Sequence, residues 1–161
     1  MRLKVKLGEY EALTVEERAF YVVGLFEREV GVPLKSGVGR FESLLELIGL
    51  GGPVPEQIKR TMFELSQVRN LLVHQRGIVD RRFLEHCPWF TLSLGDSVII
   101  NHQQFAIYEQ AVFAYTSELV QRLRIYRGQK RDKSVEETII EIEAWLKRLA
   151  DENLRGASHS A

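Results

Sequence analysis

Large apolar residues return at every third or fourth position from Phe105 to Tyr126, and this one stretch restricts the chain to helical architectures. Phe105, Tyr108, Val112, Tyr115, Leu119, Leu123 and Tyr126 fall along a single stripe. A period near 3.6 places that stripe on one side of an α-helix about six turns long, which other helices must cover. Asn101 and Gln104 form a capping box at its start.

The rest of the chain supplies the cover. Thr14 and Glu17 make a second capping box and open a helix to about Val30 that carries Phe20, Val23, Leu25 and Val30, stopped by Gly31 and Pro33. Beyond the loop Pro33 to Gly39, a shorter helix runs from Phe41 to Ile48 and ends at Gly49-Leu50-Gly51-Gly52-Pro53. Pro55 suits the first turn of a long helix reaching His74, with Gly77 closing it. Asp80 caps a short turn, Arg81 to Glu85, that Pro88 ends. Trp89 to Leu94 and Ser97 to Ile100 are β-prone runs on either side of Gly95-Asp96 and predict a small hairpin. A basic linker, Arg127 to Lys133, leads to a third capping box, Ser134 and Glu137. A last amphipathic helix follows with Ile139, Ile142, Trp145, Leu146 and Leu149. The expected fold is an all-α, antiparallel bundle of four to five helices with a small β-hairpin insertion. Positions 1–127 form the bundle, and 128–161 hold the basic linker, the C-terminal helix and a frayed tail from Gly156.

Composition narrows the function classes. A chain of 161 residues, 45% apolar and 27% charged, forms one ordinary domain with a core of its own. Its formal net charge is zero, so any polyanion must be held by a local patch and not by a global field. Cys87 is the only cysteine, which rules out an intrachain disulfide and a Cys-rich zinc site. Met1 to Gly8 alternates charged and apolar residues, unlike a signal peptide, and no segment approaches membrane-spanning length. The expected home is the cytoplasm, with no membrane partner.

The residues that carry chemistry are Arg69-Asn70-Leu71-Leu72-Val73-His74. At about 100° per residue, Met62, Leu65 and Leu72 fall within about 40° of Ile58, and Arg69 falls in the middle of that apolar face. A guanidinium there needs a carboxylate such as Glu27 or Glu109, a polar groove, or a subunit interface. His74 shares a face with Asn70 but lies roughly 140° from Arg69 on a straight helix. The two converge if the helix loosens in its final turn, or act together across two copies.

At these residues the chain resembles the HEPN superfamily, whose signature is an arginine, commonly a polar residue next, and a histidine after four to six intervening residues. Arg69, Asn70 and His74 match with four intervening residues. Gln75 to Phe83, Cys87-Pro88 and Gly95-Asp96 look like the RNase LS/PSP-type branch, and the likeness spans Val15 to Arg127. The resemblance implies a metal-independent endoribonuclease without cofactor. It implies a homodimer whose motif helices line one cleft and which cuts RNA by 2′-hydroxyl attack, in RNA turnover or in a toxin or defence setting with a protein antitoxin as a further partner. It makes Arg69, Asn70 and His74 catalytic. An imidazole exchanging protons near neutral pH and a guanidinium stabilising charge at phosphorus fit that chemistry. In some relatives a tyrosine two residues after the histidine is modified by a partner nucleotidyltransferase. Arg76 stands at that position here, which argues against that pairing.

Each reading has a plainer competitor. Arg69 and His74 also suit a structural ion pair and a helix-end histidine, and the superfamily includes non-catalytic modules for dimerisation or for RNA or protein binding. Arg76, Arg81 and Arg82 suit an RNA backbone as well as a solvated turn. Arg122, Arg124, Arg127, Lys130, Arg131 and Lys133 read as cations at a helix C-terminus that pair with Glu136 and Glu137. His86, Cys87 and His102 lack any metal-ligand spacing. Gly49, Gly51 and Gly52 lack the lysine of a phosphate loop. Trp89, Phe90 and Tyr108 suit core packing better than base stacking.

Overall fold

A computed structural model of the chain describes residues 4–30 and 37–157, with side chains throughout except at positions 27, 29, 30 and 152–157. The helices among them are α1 (Leu7–Glu11), α2 (Val15–Val30), α3 (Val38–Leu47), α4 (Glu56–His74), α5 (Arg81–His86), α6 (His102–Tyr126) and α7 (Lys133–Ala157). The expected breakers Gly31 and Pro33 and the end of the expected tail, residues 158–161, lie outside the described residues.

Helix starts follow local chemistry. Thr14 N–H donates to Glu17 Oε2 at 2.9 Å while Glu17 N–H donates to Thr14 Oγ1 at 3.3 Å, the reciprocal pair that opens α2. Asn101 Oδ1 accepts from Gln104 N–H at 2.8 Å to open α6, and Asp80 Oδ1 accepts from Phe83 N–H at 2.7 Å to open α5. The capping box expected at Ser134 and Glu137 is displaced. Asp132 does the capping, its Oδ1 accepting from both Ser134 N–H at 3.1 Å and Ser134 Oγ at 3.0 Å, so Ser134 lies inside α7.

The body is built on α4, α6 and α7. Glu64 of α4 faces Gln104 and Tyr108, whereas Arg122 near the other end of α6 reaches Pro53, so α4 and α6 run antiparallel. The α6–α7 turn is clasped at two points by the fully buried Gln121, which donates to Asp132 O at 2.7 Å and accepts from Asp132 N–H at 2.9 Å. Ile139, Ile142 and Leu146 of α7 are buried as its spacing predicts, and α7 shares a core with Val38, Val54, Ile58, Ala111, Ala114 and Tyr115. A second core gathers Val68, Leu71, Val79, Phe83, Cys87, Val98 and Tyr108 at the C-terminal end of α4. Neither core takes a described residue from α1 or α2.

The hairpin does not form. Among the described residues there is no strand, only one isolated antiparallel bridge between Ile78 and Ser97. Asp96 folds back on Ser93, its Oδ2 accepting Ser93 N–H at 2.8 Å, and the second β-prone run pairs with the chain leaving α4. Val79 N–H donates to Asp96 O at 2.8 Å, Gly95 N–H to Val79 O at 3.0 Å, and Val98 N–H to Gly77 O at 2.8 Å. The Trp89–Leu94 run packs instead, with Phe90 edge-on to Phe83.

Candidate functional site at the end of α4

The C-terminal turns of α4 stand on a fixed base. Leu71 O accepts from both Gln75 N–H and Gly77 N–H, each at 2.9 Å, which turns the chain sharply after the helix. That turn forces Arg76 to φ +54°, the one non-glycine residue with positive φ among those described, and Gly77 to φ +79°. Buried Val79, Phe83 and Cys87 then hold the exit against α4 and α6. Burial, reinforced by the charge of Glu64, pushes the Cys87 thiol up to about 12.

On this base Arg69, Asn70 and His74 are all exposed. Arg69 is therefore not in the middle of the buried face. Ile58, Thr61, Val68 and Leu71 are the buried positions of α4, a face turned roughly a quarter-turn from the expected one, and Leu72 is 47% exposed. The physical reason is that α6 is drawn towards the small and polar side of α4, where Glu64 binds it. Glu64 Oε1 accepts from Tyr108 Oη and Gln104 Nε2, both at 2.8 Å, and its Oε2 accepts from Trp89 Nε1 at 2.6 Å. Burial, the Glu64 charge and its hydrogen bond raise the Tyr108 phenol well above its ordinary value. Arg60 caps this cluster, 4.3 Å from the centre of the Trp89 ring. Trp89 and Tyr108 are thereby committed to packing.

Arg69 Nη1 donates to Asn70 Oδ1 at 3.3 Å. Glu109 is exposed and makes no ion pair with it, and the side chain of Glu27 lies outside the described residues. α4 stays regular through His74, so the final turn does not loosen, and Arg69 and His74 remain roughly 140° apart in one copy. One chain thus joins Arg69 to Asn70 and leaves His74 on another side. Arg76, Arg81 and Arg82 follow immediately and are exposed, extending a cationic surface around the end of α4 with Arg69. His86 is tied to Gln67 at 3.0 Å and packs edge-on to Phe63, apart from any ligand cluster. Among the described residues no three His, Cys, Asp or Glu side chains gather as they do around a metal ion.

The arginine that sequence reasoning missed is Arg122, 8% exposed. Its Nη1 donates to both oxygens of Glu42 at 2.9 Å, its Nε to Glu118 at 3.3 Å, and its Nη2 to Pro53 O at 2.9 Å. Tyr115 Oη and Gly52 N–H complete the shell of Glu42, each at 2.9 Å, and Arg131 bridges Glu118 at 2.6 Å and Glu136 at 3.2 Å. Gly52 is where the loop presses on the guanidinium: a Cβ there meets Arg122 Cζ at 3.0 Å, so its glycine serves close approach. The signal was present in sequence as Glu118 four residues before Arg122, with Ala111 and Ala114 marking the side of α6 where backbones come close.

On the far side of α6, Ala106 and Gln110 face Ile142, Trp145 and Lys147 of α7 across an open groove of about 920 Å³. No helix is long and apolar enough to cross a membrane among the described residues. No family model matches the chain, and no curated protein or solved structure matches it.

Proposed function

We propose that this chain is a HEPN-type, metal-independent endoribonuclease in which Arg69, Asn70 and His74 act on a phosphodiester, with Arg76, Arg81 and Arg82 holding the RNA backbone. The observation that carries this reading is the freedom of the motif. Its three side chains are exposed on the last turns of a firmly seated helix, while the structural ion-pair role falls to Arg122. An exposed guanidinium beside an amide oxygen and four further cations at one helix end form a local anion surface on a chain of zero net charge. In the proposed reaction His74 takes the proton of a 2′-hydroxyl or gives one to the leaving 5′-oxygen, and Arg69 stabilises the charge on phosphorus. Because one copy keeps Arg69 and His74 on different sides of α4, the cleft is completed by the same residues of a second copy.

That same separation favours one alternative, a non-catalytic HEPN-like module that binds RNA or protein through its cationic helix end. RNA cleavage in the presence of a chelator, with end analysis of the products, separates the two. The nuclease reading expects 2′,3′-cyclic phosphate ends. It also expects losses of about a hundredfold or more in Arg69→Ala and His74→Ala, with thermal unfolding of both variants unchanged. Equal cutting by parent and variants sinks the site, and no cutting by the parent together with RNA retention leaves the binding module.

A further inference from the structure

Two apolar faces of this chain have no cover. α2 presents Val15, Phe20 and Val23, of which Phe20 is 78% exposed, and no described residue of α2 is buried. α6 packs on α4 and α7 by one side only. Phe105, Val112, Phe113 and Val120 stand exposed on the other, all within a sector of roughly 100°. Singly exposed apolar residues need no explanation, but two helical faces of this kind on one small chain do.

We propose that α2 of one copy lies along the outer face of α6 of a second copy, antiparallel and reciprocally, so that each copy covers the other. Length and charge fix this occupant. Sixteen residues make α2 about 24 Å long, and the stretch of α6 from Phe105 to Val120 spans about 22 Å. The first turn of α2 carries exposed Glu16 and Glu17, and the last turn exposed Arg28. Along α6, exposed Glu109 lies near the N-terminal end of the face, and exposed Arg127 and Lys130 lie beyond its C-terminal end. The antiparallel arrangement puts acid against base at both ends, and the parallel one puts like against like. Reciprocal exchange closes the assembly at two copies and leaves neither face open. The inference is independent of the nuclease reading, since it involves neither Arg69 nor His74.

Sedimentation of the full chain tests it. The parent should be a dimer at micromolar concentration. Val23→Glu and Phe113→Glu alter side chains that are exposed within one copy, so each should leave the helical circular dichroism intact and raise the dimer dissociation constant at least tenfold. Mixing the two variants should restore a heterodimer, because one of its two α2–α6 contacts is then unaltered. Glu16→Lys should weaken the dimer and gain it back in combination with Arg127→Glu. In the unmodified protein, the amides of α2 should exchange more slowly as concentration rises. A parent that stays monomeric, a dimer indifferent to both substitutions, or no recovery on mixing overturns the proposal. The last result would mean that α2 folds back on its own α6.

Discussion

Arg76 holds a backbone conformation that costs a side chain bearing a Cβ roughly 1 kcal/mol relative to glycine, and it does so in the turn directly behind the proposed site. Strain of this kind persists where a side chain is wanted at that place. Arg76→Gly should therefore stabilise the fold by about 1 kcal/mol, read as a higher urea midpoint at unchanged slope, while RNA affinity falls. A lower midpoint would show that the guanidinium contributes to the fold. At Cys87 the expectation concerns reactivity. The thiol is fully buried and pushed up to about 12, so alkylation at pH 8 should wait for unfolding, and modification of native protein at the rate of a free thiol would contradict that burial.

At the scale of elements, starts were legible because they are decided within four residues. Thr14 with Glu17, Asn101 with Gln104, and Asp80 each satisfy orphan N–H groups from their own turn, and the sequence pattern contains the whole interaction. The rotational phase of a helix is decided elsewhere. Phe105 and Val112 belong to the apolar stripe of α6 yet stand exposed, because Glu64, Tyr115 and Arg122 pull the packing side towards Ala111 and Ala114. The same rotation exposes Arg69, so the motif was legible as a set of residues and its burial was not. The hairpin failed for a related reason: β-prone residues specify extended backbone but not a partner, and the exit of α4 supplied one. At α7 the cap itself titrates. Hydrogen bonds from Ser134 and the backbone of Val135 hold the Asp132 carboxyl below its ordinary value. A carboxyl lowered in the folded state stabilises above its unfolded pKa, and that contribution is lost as pH falls through the folded one. Asp132→Ala should thus lower Tm at pH 7, with the gap to the parent closing as the carboxylate range is crossed downwards. A gap independent of pH would show that the cap acts without its charge.

For the whole molecule, two arginines carry opposite expectations. Arg122 ties α6 to α3 and to the loop ahead of α4, through Glu42 and the carbonyls of Leu50 and Pro53, in a nearly dry position. Removing one partner of such a pair leaves a buried charge uncompensated and costs roughly 3–5 kcal/mol, a large part of the 5–15 kcal/mol typical of a domain. Arg122→Ala should therefore approach global unfolding. The double change Arg122→Met with Glu42→Leu should recover part of the loss, since both charges leave together. Recovery stays incomplete because Tyr115 Oη and Gly52 N–H lose their acceptor. Arg69 is exposed, and its hydrogen bond to Asn70 is a surface contact, so Arg69→Ala should stay within about 0.5 kcal/mol of the parent. Denaturant unfolding of the two alanine variants compares them on one scale. If Arg69→Ala costs several kcal/mol and Arg122→Ala costs little, the motif arginine is the structural one, and the case for a site at the end of α4 falls with it.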